Sequence, residues 1–198
     1  MSLVFGDPMA AALFWATYAA VTAVDARLIL RSLSGRERRP SSERQGAVHR
    51  PSGLIGLLAV EGAGIAAAGV DQAVLPHRWL LLFVGVGIAW IGLGLRAWAK
   101  HTLGRFFVGA VVIQPDHRVV TDGPYARIRH PGYLGAIVTM TGLGLATGNA
   151  ISIALFIVGP IVVFTRTITV EEAVLSTRLR DSYATYQRRT WRLVPGIW

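Results

Sequence analysis

The feature that most constrains this chain is an uncharged run of 34 residues, Gly132–Thr165. As a single helix the run would be about 51 Å long, whereas the hydrocarbon core of a bilayer is about 30 Å thick. Thr147-Gly148-Asn149 lies near its middle and is typical of a turn. The run therefore predicts two membrane-spanning helices joined as a tight hairpin.

Three further apolar segments can each form one span if their flanking arginines snorkel toward the polar interface. They are Met9–Val24, Gly53–Val70 and Trp79–Leu95. The 198 residues are 53% hydrophobic and 16% charged, and soluble domains have about 25% charged residues. The sequence thus predicts an all-α, polytopic membrane protein with about five transmembrane helices. A cytoplasmic C-terminal helix is expected to follow them.

The basic residues are distributed unevenly between the two sides of the membrane. All 20 Lys and Arg residues except Arg78 lie between spans one and two, between spans three and four, or after span five. The positive-inside rule places those segments in the cytoplasm. We therefore expect an integral, multi-pass cell membrane protein whose C-terminus and active site are cytoplasmic. Basic residues interleaved with spans do not form one groove, so nucleic acid is not an expected partner.

The polar tail after the last span has the pattern of a helix start. Thr169-Val170-Glu171-Glu172 matches a capping box, with Thr169 as N-cap and Glu172 at the third helical position. The pattern predicts a separate helix over about Val170–Arg189, ending before Pro195.

The cytoplasmic segment before span four predicts a turn followed by a helix start. Val119-Val120 is short and extended, and Gly123-Pro124 is a turn signal. Pro131 suits the first position of the span-four helix. The positive end of that helix, next to His130, could then hold a carboxylate.

Apart from these cytoplasmic segments, the ionisable residues suggest few other functional sites. Glu61 interrupts span two, which makes it either a site residue or a carboxyl hydrogen-bonded between packed helices. The chain has no cysteine, which excludes disulfides, thiolate metal sites and cysteine nucleophiles. No metal site is predicted, because the histidines have no ligand spacing.

Residues from about 90 to 198 resemble the isoprenylcysteine carboxyl methyltransferase family of integral membrane enzymes. The similarity is carried by GPYARIRHPGYLG, the uncharged hairpin, and EEAVLSTRLRDSYATYQRRTWRLVPGIW. The upstream stretch LGLRAWAKHTLGRFFVGAVVIQPDHRVVTDGPY continues it. One integrated membrane domain is expected, with N-terminal spans and a basic loop over 1–89 and a methyltransferase core over 90–198.

The resemblance implies S-adenosylmethionine as methyl donor and S-adenosylhomocysteine as product. It implies a cytoplasmic cofactor pocket made by the loop before span four, the start of that helix, and the C-terminal helix closing over it. Transferred to this chain, the cofactor-binding residues are His117, Val120, Gly123, Tyr125, Arg129, His130, Tyr133, Glu171 and Glu172.

The resemblance also implies a lipophilic or prenylated substrate that reaches the site from the membrane lipid. No obligatory protein partner is evident. If the acceptor is a carboxylate it needs a cation and no base, and Arg166 and Arg189 are the candidates. If it is an amine, as in a phospholipid N-methyltransferase, Glu172 or Glu61 could serve as base. A non-catalytic membrane protein or small transporter on the same scaffold is the alternative from another class.

Overall fold

Five long helices dominate the computed structural model, which describes residues 2–37, 51–104 and 119–198. The helices in chain order are α1 (Leu3–Gly6), α2 (Pro8–Glu37), α3 (Pro51–Ala67), α4 (Arg78–Leu103), α5 (Pro131–Ala146) and α6 (Ala150–Gln187). Short 3₁₀ turns occupy Asp71–Ala73 and Gly123–Ala126. Within the described ranges, β-structure is limited to isolated bridges.

Length and hydropathy make three of these helices able to cross a membrane. They are α2 over Pro8–Arg27, α4, and α6. The apolar helices α3 and α5 have 17 and 16 residues. The prediction of an all-α, integral membrane protein is confirmed, and a helix lies at each of the five predicted positions.

The predicted hairpin forms at the expected turn. Helix α5 ends at Ala146 and α6 begins at Ala150. Gly148 has a φ of +63°, which glycine adopts without strain. The buried Asn149 side chain accepts hydrogen bonds from the amides of Ile151 and Ser152 at 3.0 and 3.2 Å, which makes it the N-cap of α6.

The predicted start of a separate C-terminal helix at Val170 was wrong. Helix α6 continues from the hairpin through Val170 to Gln187. The Thr169 hydroxyl donates to the Thr165 carbonyl at 2.9 Å, so it bonds back to the preceding turn and caps nothing. No breaker separates the apolar and polar halves, and the only interruption of helical geometry within α6 is at Arg180.

Helices α4 and α5 pack closely through glycines on both helices. Gly85 and Gly92 on α4 face Gly142 and Gly135 on α5, and an added Cβ at any of the four would overlap backbone atoms of the facing helix. Seven-residue spacing on each helix keeps these glycines on one face. This contact fixes the C-terminal part of α4 beside the first turn of α5.

Glu61 lies between helices and has a partner. The Tyr18 hydroxyl of α2 donates to Glu61 Oε2 of α3 at 3.0 Å. This contact supports the interpretation of Glu61 as a carboxyl hydrogen-bonded between packed helices.

Candidate active site

The residues before α5 are joined to the C-terminal tail by backbone hydrogen bonds. The Arg129 amide donates to the Trp191 carbonyl at 2.7 Å, and the His130 amide donates to the Arg192 carbonyl at 3.1 Å. The Trp191 amide donates back to the Arg127 carbonyl at 2.9 Å. The tail is therefore held against the Arg-His-Pro segment, and Pro131 begins α5 as predicted.

Glu172 is the centre of a buried cluster of charged side chains. Its Oε1 accepts from Arg129 Nε at 2.7 Å and lies 3.2 Å from His130 Nε2. Its Oε2 accepts from Arg192 Nε at 2.8 Å. The Glu172 side chain is 5% exposed. Two guanidinium groups compensate the cost of burying its charge, and an ionised carboxylate only accepts, so Nε2 of His130 carries the proton.

The two arginines of this cluster have further partners. Arg129 Nη1 donates to the Gln187 carbonyl at 3.1 Å and, over a shorter distance, to the Thr190 carbonyl. The Arg192 guanidinium lies 5.1 Å from the centre of the Trp198 ring, within cation–π range. These contacts join the end of α6, the tail and the Arg-His-Pro segment into one unit.

Glu171 forms a second, more open polar group beside the first. The Tyr133 hydroxyl donates to Glu171 Oε2 at 2.9 Å, and His130 Nδ1 lies 3.9 Å from the same oxygen. The Tyr133 ring stacks between His130 and Phe164. The Glu171 side chain is 26% exposed, so its carboxylate can reach a ligand while that of Glu172 is enclosed.

The turn before the Arg-His-Pro segment borders the same region. Gly123 has a φ of +55°, and an added Cβ would lie 2.9 Å from the Thr102 hydroxyl. Tyr125 is buried, and its carbonyl accepts from the Tyr186 hydroxyl at 2.8 Å. Burial, and then the negative charge of Glu171, raise the pKa of Tyr125 above its usual value, so its phenol is neutral at pH 7.

One buried hydroxyl in this region has no hydrogen-bond partner. Among described residues, only the Ser2 and Tyr183 hydroxyls are buried without a partner. Tyr183 is 3% exposed, and its ring centre lies 6.1 Å from that of Tyr186. An unsatisfied buried hydroxyl is costly and marks a place where a polar ligand atom would be stabilising.

Some of the predicted site residues lie together in the structure, and others lie at the edge of that group. Arg129, His130, Tyr133, Glu171 and Glu172 are brought together. Gly123 and Tyr125 border them, and Val120 is half-buried just before the turn. His117 lies outside the described residues.

The two arginines predicted to hold the acceptor are peripheral. Arg166 and Arg189 are exposed, and no described contact joins either to the Glu172 cluster. Their role stays a prediction. Arg192 and Tyr183 were missed, although both lie in the tail motif, because only the tertiary fold shows which tail residues turn inward.

The sequence and the fold have counterparts among known proteins. A model of the isoprenylcysteine carboxyl methyltransferase (ICMT) family matches residues 85–177. A protein-S-isoprenylcysteine O-methyltransferase from Schizosaccharomyces pombe is 35% identical over 154 residues, covering 73% of this chain and 65% of the relative. The chain is similar in sequence to the isoprenylcysteine carboxyl methyltransferase family. The Arg-His-Pro segment, the hairpin and Glu171-Glu172 all lie within the matched residues.

Two further family members extend the comparison. A protein-S-isoprenylcysteine O-methyltransferase from Dictyostelium discoideum is 33% identical, covering 59% of this chain and 50% of the relative. A solved structure of the eukaryotic intramembrane Ras methyltransferase ICMT has a TM-score of 0.71 at 22% identity, over 98% of this chain and 70% of that one. That likeness shows the shared fold. The match to the S. pombe protein covers slightly less than two thirds of its length.

Similarity to a methyltransferase family implies a methyl donor, and the side chains present are suited to one. An amino-acid zwitterion requires a carboxylate for its ammonium group and hydrogen-bond donors for its carboxylate. Glu171 is an accessible carboxylate, and the Tyr183 hydroxyl is an unpaired donor. Both groups are of the kinds that a ligand of this chemistry requires.

Proposed function

We propose that this protein is an S-adenosylmethionine-dependent carboxyl O-methyltransferase that forms a methyl ester on a lipophilic, isoprenylcysteine-like acceptor. The observation that carries the proposal is the pair of neighbouring acids with different surroundings. Glu172 is paired with Arg129 and Arg192 and also contacts His130, whereas Glu171 stays partly exposed beside Tyr133. The names of the relatives support the reaction and the acceptor class.

In this proposal the two acids have separate tasks. Glu171 binds the ammonium group of the cofactor, with Tyr133 orienting its carboxylate. Glu172 is fully used by its three cationic or donor partners, so it organises the pocket and does not contact the ligand. His130, Arg129 and Glu172 together hold the start of α5 and the tail in fixed positions.

The reaction depends more on orientation of the acceptor and exclusion of water than on acid–base catalysis. When bound, S-adenosylmethionine supplies an electrophilic methyl group, which one carboxylate oxygen takes in a single displacement that leaves S-adenosylhomocysteine. A carboxylate is already deprotonated at pH 7, so no residue has to remove a proton. The protein orients the acceptor and excludes water, and well-oriented reactants of this kind gain up to about 7–11 kcal/mol. The site is expected to face the cytoplasm, as the charge bias predicts.

The product distinguishes this proposal from its rivals. Purified protein in lipid is given methyl-labelled S-adenosylmethionine, with N-acetyl-S-farnesylcysteine in one tube and mixed phospholipids in another. We expect label in the first tube that mild base releases as methanol, because methyl esters are base-labile. Label that stays on a phospholipid headgroup after base would mean N-methylation. Protein that binds S-adenosylhomocysteine but transfers no label to either acceptor would contradict the proposed substrate class.

A further inference from the structure

The last part of α6 folds back to the level of the Arg-His-Pro segment. Glu172 and Gln187 lie about four helical turns apart, which is about 22 Å in a straight helix. The guanidinium of Arg129 nevertheless donates to both, at 2.7 Å to Glu172 Oε1 and at 3.1 Å to the Gln187 carbonyl. The break in helical geometry at Arg180, where φ is +41°, allows this reversal. The chain after Arg180 therefore returns toward the start of α5.

The tail that follows lies where the apolar part of α5 begins. Helix α5 has no charged residue from its first position, Pro131, onward. The backbone of Trp191 is hydrogen-bonded to Arg127 and Arg129, just before that proline. Because charged side chains are costly in hydrocarbon, the edge of the hydrocarbon region is expected between these arginines and α5. Trp191 is therefore held at the height of the membrane surface.

Three apolar side chains of this tail are exposed. Trp191, Val194 and Ile197, here called the tail patch, are 48%, 38% and 80% exposed. The two residues between Trp191 and Val194 face the protein, since Arg192 pairs with Glu172 and Leu193 is buried. Tryptophan is enriched at the interface between membrane and water. A bilayer surface at this height would cover the tail patch without any change in the fold.

Arginines border the tail patch. Arg188 is exposed at the end of α6, and the exposed Arg127 is joined to Trp191 through its backbone carbonyl. From Arg188 to Trp198 the chain has three arginines and no acidic side chain. Guanidinium groups bind phosphates with paired hydrogen bonds, and basic segments beside a membrane are attracted to anionic lipids. An acidic lipid headgroup therefore complements this surface.

We propose that the tail patch inserts into the surface of the membrane and that Arg127 and Arg188 bind the phosphate groups of anionic phospholipids there. Apolar and basic side chains combined in this way are typical of segments that lie in the interface. The inference goes beyond the proposed function, because the phospholipid is a partner of the tail and not the methyl acceptor.

The lipid contact also restrains the Glu172 cluster. Trp191 and Arg192 are consecutive, with Trp191 exposed and Arg192 bonded to Glu172. Lipid that holds Trp191 therefore favours the position of Arg192, and a ligand that stabilises the cluster favours the lipid contact in return. This consequence rests on the proposed cofactor site.

Spin labels measure the depth of the tail directly. The chain has no cysteine, so Ile197→Cys supplies a single labelling site. Ser182→Cys, exposed next to the break at Arg180, is the matched control. In nanodiscs that contain phosphatidylglycerol, we expect the label at position 197 about 5–10 Å inside the headgroup boundary, accessible to oxygen and shielded from a water-soluble nickel chelate. The chelate should reach the label at position 182.

The charge of the lipid is varied in the same experiment. In phosphatidylcholine alone, or with Arg127→Gln and Arg188→Gln combined, accessibility of position 197 to the chelate should rise several-fold. Equal access of the chelate to positions 197 and 182 in the anionic discs would overturn the inference. So would shielding of position 197 from both reagents, which would mean that protein such as a second copy covers the patch. The same depth in both lipids would contradict the binding of anionic headgroups.

Titration with S-adenosylhomocysteine separates this inference from the proposed function. We expect binding to be several-fold tighter in phosphatidylglycerol discs than in phosphatidylcholine discs, and the difference should disappear in the double arginine variant. Equal affinity in both lipids would overturn the restraint on the Glu172 cluster. If S-adenosylhomocysteine binds in neither lipid while the label at position 197 is inserted, the proposed cofactor site fails and the lipid contact stands.

Discussion

At the scale of single residues, Glu171 and Glu172 are neighbours in sequence with opposite surroundings. Glu172 is enclosed by two guanidinium groups and an imidazole, and Glu171 keeps an accessible carboxylate beside Tyr133. The sequence could not distinguish them, because both match the same motif and both were expected to contact the cofactor. The difference arises from residues that are distant in sequence. Arg129 lies 43 positions from Glu172, and Arg192 lies 20 positions from it.

Substituting each acid should distinguish the structural role of Glu172 from the ligand-binding role of Glu171. Glu172→Gln leaves the largely buried Arg129 and the partly exposed Arg192 without their counter-charge, and we expect a loss of about 3–5 kcal/mol in stability. Glu171→Gln should keep the melting temperature close to wild type and weaken S-adenosylhomocysteine binding. Thermal melts in detergent and calorimetric titration measure the two effects. The assignment is wrong if Glu172→Gln melts like wild type, or if Glu171→Gln binds normally.

The unpaired hydroxyl of Tyr183 gives a second prediction at this scale. Tyr183→Phe removes a polar atom that has no partner in the free protein, so the unliganded variant should be at least as stable as wild type. Its affinity for S-adenosylhomocysteine should fall by up to about tenfold, the value of one hydrogen bond.

The neighbouring tyrosine provides the control for Tyr183. Tyr186→Phe removes the hydrogen bond to the Tyr125 carbonyl, so this variant should lose about 0.5–1.5 kcal/mol of stability even without ligand. Unchanged affinity in Tyr183→Phe would mean that its hydroxyl does not face the ligand.

At the scale of helices, the close packing of α4 on α5 positions the site. The crossing places the end of α4, with Arg96, against the first turn of α5, where His130 and Tyr133 lie. Only residues without a side chain allow this approach, because the space at Gly135 and Gly142 is filled by backbone atoms of α4.

A pair of glycine substitutions tests this contact. Gly142→Ala would overlap the backbone of Ala89, and we expect it to lose about 1–3 kcal/mol in stability. Gly94→Ala is the matched control, since it lies on the exposed face of α4 with nothing within 4 Å. It should be neutral or slightly stabilising, because alanine favours the helix. Unfolding of both variants in mild denaturant measures the difference, and equal stability would contradict the proposed contact.

Short sequence motifs predicted some elements of the fold correctly and one helix start wrongly. The hairpin turn and the start of α5 at Pro131 followed from short-range chemistry and were confirmed. The capping box at Thr169 failed because its residues also suit the middle of a helix, and nothing before them stops α6. The Asp25–Arg96 salt bridge could not be predicted, because it joins residues 71 positions apart through helix packing that the sequence pattern does not encode.

At the scale of the whole molecule, the polar groups from three parts of the chain meet at one end of the bundle. The Arg-His-Pro segment, the polar half of α6 and the C-terminal tail share hydrogen bonds, and Arg96 lies next to them. The sequence predicted this meeting only through the family resemblance, since composition and charge gave the spans and their expected orientation. The central claim is that the methyl donor binds at this junction.

Photolabelling locates the donor most directly. Protein in lipid is irradiated with an azido-adenosyl analogue of S-adenosylmethionine, with and without excess S-adenosylhomocysteine, and the labelled peptides are mapped by mass spectrometry. We predict competitor-sensitive label within residues 119–133 or 166–198, the segments that border the Glu171 carboxylate. Competitor-sensitive label confined to residues 1–95, or label that excess S-adenosylhomocysteine does not reduce, would contradict the account.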